Sequence, residues 1–448
     1  MNFFKIKIEE LNSAQILVSG YFIVILLGSL LLMLPQATAD GDSLNFIDAL
    51  FTATSATCVT GLIVVNTATT FSFFGQLVIM ILIQIGGLGI MTMSTMIGLI
   101  IGRKISLRER LIILDDLDQF SMSNIVHLIK YVISFTFIIE SFGALFLFSR
   151  LIAEYNYGKA IFFSVFHAVS AFNNAGFDLF GNSLESFTGD ITINFVIMAL
   201  IVLGGIGFAV IVELYNIKKW KKIKNISLQT KIVVIVTISM LIGGFIIILL
   251  LEFGNVDTMG ELSFGDKILS SMFLSVTPRT AGFNTVPTGN LNNSTLFFVI
   301  ILMFLGASPG STGGGIKTTT FGVIIMSIWS FITGKEDVEL FKRRLENDVI
   351  LKAFTVAMLA LMLVVAVTIV LTIVEDMNFI DILFETVSAF GTVGLSTGVT
   401  SHLSDLGRIL ITITMFAGRV GPLTLAIAFA ERRQRGIYHF PKENIMVG

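Results

Sequence analysis

One cysteine, Cys58, in 448 residues leaves no partner for an intramolecular disulfide and no set of thiolates for a metal site. Histidine is nearly as scarce, and His127, His167, His402 and His439 are scattered without metal-ligand spacing. Charge is scarce as well. Asp, Glu, Lys and Arg make up 13% of the chain while 54% is hydrophobic, against roughly 25% charged in an ordinary soluble domain. The bilayer is therefore the expected solvent. The net charge of −2 says little about partners, because the information lies in where the charges fall. There is no catalytic constellation, no nucleotide-binding motif and nothing that points to a nucleic acid, so an enzyme is not expected. No small-residue cleavage signal follows the apolar run Ala14 to Leu34, which reads as a retained anchor rather than a secretory leader.

What the chain does have is long apolar segments. A spanning helix needs about 20 mostly apolar residues, and eight segments qualify, near 14–34, 71–101, 125–152, 191–217, 229–252, 294–330, 349–374 and 406–430. Between the members of each pair lies a shorter apolar stretch, near 46–57, 160–172, 267–277 and 379–390. These are too short to cross and fit re-entrant helices. The expected fold is an all-α polytopic membrane protein of four fused helix–pore loop–helix repeats, 1–104, 105–224, 225–345 and 346–448, in pseudo-fourfold arrangement. Basic residues gather between and after the repeats: Arg103, Lys104, Arg108 and Arg110, then Lys218 to Lys224, then Lys335 and Lys342 to Arg344, then Arg432, Arg433 and Arg435. The positive-inside rule places them, and both termini, in the cytoplasm. The segments flanking the re-entrant turns are acidic, with Asp40, Asp42, Asp48, Glu154, Asp178, Glu185, Asp190, Glu252, Asp257, Glu261, Glu375, Asp376, Asp381 and Asp405. The turns are thus expected to enter from outside, where these carboxylates either concentrate cations in a vestibule or serve as ordinary solvated loop residues.

Each short stretch ends in one motif. It reads Phe51-Thr-Ala-Thr-Ser-Ala-Thr-Cys-Val-Thr-Gly61, Phe166-His-Ala-Val-Ser-Ala-Phe-Asn-Asn-Ala-Gly176, Phe273-Leu-Ser-Val-Thr-Pro-Arg-Thr-Ala-Gly282 and Phe384-Glu-Thr-Val-Ser-Ala-Phe-Gly-Thr-Val-Gly394, with the glycines 115, 106 and 112 positions apart. Non-helical backbone at membrane depth is tolerated only where protein covers it or a cavity wets it. A glycine at the same place in each turn lets the chain take positive φ or approach an axis closely, and carbonyls turned inward can replace water around an alkali cation. The competing reading of any one glycine, a simple helix C-cap, weakens with four in register. Side chains around them share little chemistry: Thr57, Cys58, Val59 and Thr60 in the first turn, Asn173, Asn174 and Ala175 in the second, Thr280 and Ala281 in the third, Gly391, Thr392 and Val393 in the fourth. Main-chain coordination is expected, and the whole reads as an ion-conducting pore.

With this plan the chain resembles the Ktr/Trk/HKT superfamily of potassium transporters. Ser-Ala-Phe-Asn-Asn-Ala-Gly-Phe at 170–177, Thr-Pro-Arg-Thr-Ala-Gly-Phe-Asn at 277–284 and Ser-Ala-Phe-Gly-Thr-Val-Gly-Leu at 388–395 are most similar to the bacterial Ktr membrane subunit. The resemblance implies potassium uptake, often with sodium dependence, through a filter of Gly61, Gly176, Gly282 and Gly394. Related members with serine at the first of these positions tend to admit sodium, and this chain keeps glycine at all four. It also implies a cell-membrane homodimer docked on a cytosolic nucleotide-binding ring of RCK domains, for which the tail from Glu431 to Gly448 is a candidate contact. The chain departs from the Thr-Val-Gly-Tyr-Gly signature of tetrameric channels.

The second spans carry glycine clusters: Gly86, Gly87 and Gly89; Gly204, Gly205 and Gly207; Gly418 and Gly421. Close helix packing is the expected reason for these. The third copy differs, since Gly306, Ala307, Ser308, Pro309, Gly310, Ser311, Thr312, Gly313, Gly314 and Gly315 interrupt an apolar segment just before Lys317. No continuous helix carries that density of glycine and proline, so this span is expected to break over 305–317. It is not a phosphate-binding loop, because Ile316 separates Gly315 from Lys317 and no strand precedes it. By resemblance it is an intramembrane gate, and the alternative is a kink that serves packing. Arg419, inside the last span, costs about 2.5 to 3.5 kcal/mol on insertion scales. It is expected either to line the pore as an inner barrier with the loop or to form a structural salt bridge, for instance with Glu140. The rival to a standing pore, an alternating-access carrier, calls for inverted repeats, whereas the charges here put all four turns on one face.

Overall fold

The computed structural model describes residues 13–90, 92–93, 125–215, 226–335, 337–429 and 443. The expected boundaries at 104/105 and 224/225, the basic runs at 103–110, 218–224 and 432–435, and the tail from Glu431 apart from Glu443 lie outside the described residues. The protein is mostly helical. Each unit opens with a helix long and apolar enough to span a bilayer: α1 (Ser13–Leu32), α4 (Ile125–Leu151), α8 (Leu228–Glu252) and α12 (Asn347–Val374). They leave large apolar side chains such as Phe22, Leu145, Leu250 and Ile373 uncovered, the pattern of helices bathed in hydrocarbon.

A short helix follows each span: α2 (Phe46–Thr57), α5 (Tyr157–Phe172), α9 (Phe264–Val276) and α13 (Phe379–Gly391). At 1.5 Å per residue even the longest reaches only ~24 Å, less than the ~30 Å hydrocarbon core. Asn45, Asn156 and Ser263 cap the first three by accepting from the amides of Ile47, Lys159 and Asp266. From Phe51 to Thr57 every residue of α2 is buried, so these helices are covered by protein as membrane-depth backbone requires.

The second spans correct the sequence reading. One break was expected, and all four spans are interrupted. α3 (Phe73–Leu88) stops at Gly89. α6 (Ile191–Gly205) and α7 (Phe208–Tyr215) meet at 97°, and α14 (Asp405–Val420) and α15 (Pro422–Phe429) at 93°. α10 (Asn293–Phe304) and α11 (Thr318–Ile332) flank the expected loop. The reason lies in a Gly-x-x-Gly spacing. Gly86, Gly204 and Gly418 pack against the carbonyls of Thr57, Phe172 and Phe390 at the ends of their own units' short helices, where a Cβ would not fit. Three residues later Gly89, Gly207 and Gly421 take φ of 84°, 96° and 90°, which ends the helix. Close packing therefore accounts for the first glycine in each pair, whereas the second is set by its positive φ, with Gly207 also packed against the Pro309 carbonyl.

Each second span packs against the short helix of the next unit: α3 on α5, α6 on α9, α10 on α13, and α14 on α2. The last contact closes a ring. Arg408 of α14 fastens it to Asp48 in the first turn of α2 at 2.7 Å. Carboxylates expected in an acidic vestibule are partly consumed as struts. Buried Glu252 accepts from the Asn292 amide and the Thr295 hydroxyl at the start of α10, and Glu375 accepts from the Ser404 amide and hydroxyl at the start of α14. Asp190 caps α6 and pairs with Arg150. A two-stranded hairpin, β1 (Glu339–Leu340) and β2 (Arg343–Arg344), joins α11 to α12 through Phe341 and Lys342, both at positive φ.

Candidate functional site

The four turns share a backbone conformation. Val59, Asn174, Thr280 and Thr392 take φ of 52°, 57°, 68° and 49°, and two residues on Gly61, Gly176, Gly282 and Gly394 take 90°, 68°, 78° and 92°. Positive φ at alternate positions keeps the chain from running as a strand, whose successive carbonyls point to opposite sides. It is affordable for the glycines and strained for the others, and strain that recurs in four copies marks a functional constraint.

The glycines meet in cyclic order. A Cβ on Gly61 would strike the Ala175 carbonyl, one on Gly176 the Ala281 carbonyl, one on Gly282 the Val393 carbonyl and one on Gly394 the Thr60 carbonyl, each at 2.9 Å or less. The same added Cβ would also crowd the Cα of the neighbouring glycine: that on Gly61 the Cα of Gly176, that on Gly176 the Cα of Gly282, that on Gly282 the Cα atoms of Gly176 and Gly394, and that on Gly394 the Cα of Gly61. Thr60, Ala175, Ala281 and Val393 thus place their main-chain oxygens against the neighbouring glycines of the ring. The flanking side chains do other things. Asn173 turns away to donate to Glu140 and Gln84 at 3.0 and 3.1 Å. The Asn174 amide nitrogen faces the Ala171 and Ile201 carbonyls at 3.1 and 3.2 Å. Gly391 lies against the Met303 carbonyl, where a Cβ would collide. Cys58 is fully buried among Phe51, Ile382 and Met415, in the packing between the first and fourth units. Cys58 flanks the first turn in sequence, and its side chain packs away from the ring. Its thiol should stay unmodified when a small maleimide is added to the folded protein and react fully after denaturation, as mass spectrometry will read; rapid modification of the folded protein would put it back in the passage.

Sequence reading passed over a hydroxyl four residues after the phenylalanine in every copy. Ser55 and Ser388 accept from the amides of Gly61 and Gly394 at 3.0 and 3.1 Å. Ser170 and Thr277 donate to the carbonyls of Phe177 and Phe283 at 2.7 and 2.6 Å. Main-chain carbonyls of the same four residues hold Thr60, Ala175, Ala281 and Val393 by their amides at 2.8 to 2.9 Å. The third turn is one residue shorter, which hides the register if one counts back from glycine and reveals it if one counts forward from phenylalanine. Ser55→Ala strands the buried Gly61 amide at a cost of about 1–3 kcal/mol, and Ser388→Ala the partly buried Gly394 amide at the lower end of that range. Each should lower alkali-cation discrimination several-fold in an uptake competition assay with little loss of folded protein, and unchanged discrimination in both would remove these hydroxyls from the site. Arg279 was also missed. It is 2% exposed behind the third turn, touches the Thr237 hydroxyl at 3.3 Å and places its charge at the negative end of α9.

Residues 306–315 sit directly against the turns. The Gly314 amide donates to the Thr392 hydroxyl at 3.1 Å, Gly313 abuts the Thr280 side chain, and the Thr312 hydroxyl donates to the Phe172 carbonyl at 3.3 Å. Three of the four turns or helix ends are touched. The loop is docked on the break of the second unit: the Ser308 and Thr312 amides donate to Gly205 and Gly204 at 3.0 and 3.3 Å, and Phe208 donates to Gly310 at 2.8 Å. Gly207 lies against the Pro309 carbonyl, where a Cβ would collide. Within the loop Ser311 donates to the Ser308 carbonyl, the Ala307 amide to Gly314, and Lys317 Nζ to the Gly313 carbonyl at 2.9 Å. Gly306 and Gly315 let the two arms of the loop touch backbone to backbone, so the glycines serve close approach as well as flexibility.

Arg419 joins this site from the fourth unit. Its guanidinium donates to the Thr312 carbonyl of the loop and to the Gly86 carbonyl at the end of α3, with Gly87 and the Tyr21 hydroxyl at 3.4 Å. Of the two readings, pairing with Glu140 does not occur, since Glu140 is engaged by Asn173. One cation thus ties together the first unit, the third-unit loop and the fourth unit.

Residues 5–437 match the TrkH family, described as cation transport protein. The chain is 43% identical over 443 residues to Ktr system potassium uptake protein B of Bacillus subtilis, a match covering 99% of this chain and 98% of that one. It is 39% identical over 446 residues to the potassium/sodium uptake protein NtpJ of Enterococcus hirae, covering 98% of each. Its fold matches the crystal structure of the potassium transporter TrkH from Vibrio parahaemolyticus with a TM-score of 0.71 over 92% of this chain and 85% of that one, at 16% identity.

Proposed function

The chain belongs to the TrkH family of cation transport proteins, and on that premise we propose that it takes potassium into the cell through a standing pore centred on the four glycine turns. The cyclic closure of Gly61, Gly176, Gly282 and Gly394 carries this reading. A dehydrated cation is held where carbonyls replace its hydration shell, and the carbonyls of Thr60, Ala175, Ala281 and Val393 meet at one ring. The short helices end at the ring, so the partial negative charge of four C-termini, about half an electron each, adds to its field. The quadrants are the repeats 1–104, 105–224, 225–345 and 346–448. α12 runs from the basic hairpin to the side from which α13 re-enters, so the positive-inside rule puts the hairpin in the cytoplasm and the turns on the outer side.

Loop 306–315, Lys317 and Arg419 form the gate on the inner side of the ring in this reading. Sodium is a second candidate cation, as the name of the Enterococcus hirae relative allows. A homodimer on a cytosolic nucleotide-binding ring would act through the loop. A carrier of inverted repeats is the poorer reading, because the basic residues between and after the repeats and the acidic ones beside the turns put all four turns on one face. Rubidium-soaked crystals test the proposal. Anomalous density is expected on the axis beside the four carbonyls, and density confined to some other place would move the pathway.

A further inference from the structure

Behind the fourth turn, α13 carries a charge that the pore reading does not use. Glu385 follows Phe384, and the same position after the motif phenylalanine holds Thr52, His167 and Leu274 in the other units. His167 and Glu385 both reach the segment beyond their own unit's glycine, but in different ways. The imidazole is fully engaged, Nδ1 with the Phe163 carbonyl at 2.7 Å and Nε2 with the Leu179 amide at 3.2 Å. Glu385 is only half engaged. It is 1% exposed, its Oε1 accepts from the Thr400 hydroxyl, and the Ser396 hydroxyl lies beside it. Its Oε2 is buried with no hydrogen-bond partner among the described residues.

A buried carboxylate needs a compensating charge, and the chain brings the wrong sign. The charge that acts on Glu385 is Asp381, one turn earlier on α13. Arg408 donates to the Ser401 carbonyl at 3.3 Å, but its guanidinium is committed to Asp48 at 2.7 Å and Asp405 at 3.8 Å. The side-chain groups gathered at Glu385 are oxygens. Thr400 Oγ1 stands 2.9 Å from Ser396 Oγ, which also accepts from the Gly398 amide at 2.9 Å. A proton on either carboxyl oxygen leaves Oε2 unpaired, as an acceptor or as a donor, whereas a metal ion on Oε2 leaves it satisfied. One carboxylate among neutral hydroxyls balances a single positive charge, and oxygens already within hydrogen-bond distance of one another leave room for a small ion. We propose that Glu385, Ser396 and Thr400 bind a sodium ion, off the axis and apart from the permeating cation. Gly398 is exposed and Ser396 partly so, which puts the site just beneath the surface on the side from which the turns enter. The ion ties α13 to the segment after Gly394. Ser388, one turn beyond Glu385, holds the Gly394 amide, and the Thr397 carbonyl abuts Gly289 of the third unit, so the site braces the fourth turn from behind. Binding does not depend on the pore reading, whereas any effect on uptake does.

Thermal unfolding of the full-length protein in detergent tests the site, because a ligand held only by the folded state raises Tm as its concentration rises. Potassium chloride is kept constant at a saturating level, so that the ring stays occupied, and sodium chloride replaces choline chloride at fixed ionic strength. The unchanged protein is expected to show a saturable rise in Tm, Glu385→Gln no rise, and Thr400→Val a several-fold higher half-saturating sodium concentration. Should Glu385→Gln not fold, Ser396→Ala stands beside Thr400→Val as the second variant, with the same weakening expected. A full sodium response in Glu385→Gln, or in both hydroxyl variants, would overturn the proposal, since sodium would then act elsewhere, on the ring first of all. No response of the unchanged protein would overturn it too. So would a rise with calcium and not sodium, which makes the site divalent, or a rise on acidification alone, which makes the occupant a proton. Rubidium density away from the ring would count against the pore and leave a sodium response lost in Glu385→Gln standing.

Discussion

Gly394→Ser is expected to abolish potassium uptake, with Gly61→Ser and Gly282→Ser close behind and Gly176→Ser the mildest. The order follows the space at each position: an added Cβ comes nearest to a neighbouring carbonyl oxygen at Gly394 and is loosest at Gly176. Two costs combine. An L-residue at positive φ is disfavoured by roughly 1–2 kcal/mol, and the new atom overlaps the carbonyl of the adjacent unit, so the ring must widen. A ring that widens fits a hydrated or differently sized cation, and the hydroxyl adds a competing ligand. Each variant is expected to insert and fold, because the helices behind the turns are unchanged. Uptake by cells lacking other potassium systems should fall about tenfold or more at Gly394, Gly61 and Gly282, a loss of at least ~1.4 kcal/mol in the transport barrier. Sodium should compete better in whatever uptake survives at Gly176. Normal uptake and selectivity in all four variants would show that the glycines close helices and nothing more.

The ring was legible because its determinant is local. Each turn places a glycine nine or ten positions beyond a buried phenylalanine, and four copies raise that signal above any one C-cap. The breaks in the second spans were less legible. A glycine that packs, such as Gly204, and one that ends a helix, such as Gly207, look alike in sequence; what separates them is a φ of 96° and a carbonyl of Pro309 more than a hundred residues away. The same distance in sequence hid the docking of the loop, since Thr312 meets Phe172 and Arg419 across 140 and 107 positions. The carboxylates misled for a different reason. Glu252 and Glu375 lie in acidic segments, yet each is spent on the amide and hydroxyl of a helix start, a role that depends on a neighbour brought close only by the fold. The glycine density of 306–315 announced a broken helix, but not that Gly313 and Gly314 are small so that Thr280 and Thr392 can touch them.

Arg419→Ala is expected to raise potassium flux about tenfold or more and to weaken its dependence on any cytosolic partner. The guanidinium holds the loop from one side through the Thr312 carbonyl and is itself anchored through Gly86. Hydrogen bonds to a charged group contribute roughly 1.5–3 kcal/mol each, and a two-state element moves from 1:99 to 99:1 with about 5.5 kcal/mol. Losing these bonds is therefore enough to shift the loop substantially toward an undocked state. Removing the charge also removes a repulsive barrier in the path of a cation leaving the ring. Arg419→Lys separates the two effects: lysine keeps the charge but lacks the planar fork that reaches two carbonyls at once, so it should show raised flux short of that in the alanine variant. Deleting two residues within 308–314 attacks the same element from the other side, by pulling Gly313 and Gly314 away from Thr280 and Thr392. The deletion should raise flux as well, and combining it with Arg419→Ala should add little, because both changes release one docked loop. Flux measured in vesicles with inserted, folded protein decides the matter. If flux and partner dependence are unchanged in both variants, the loop and Arg419 are packing features and the gate lies elsewhere along the axis.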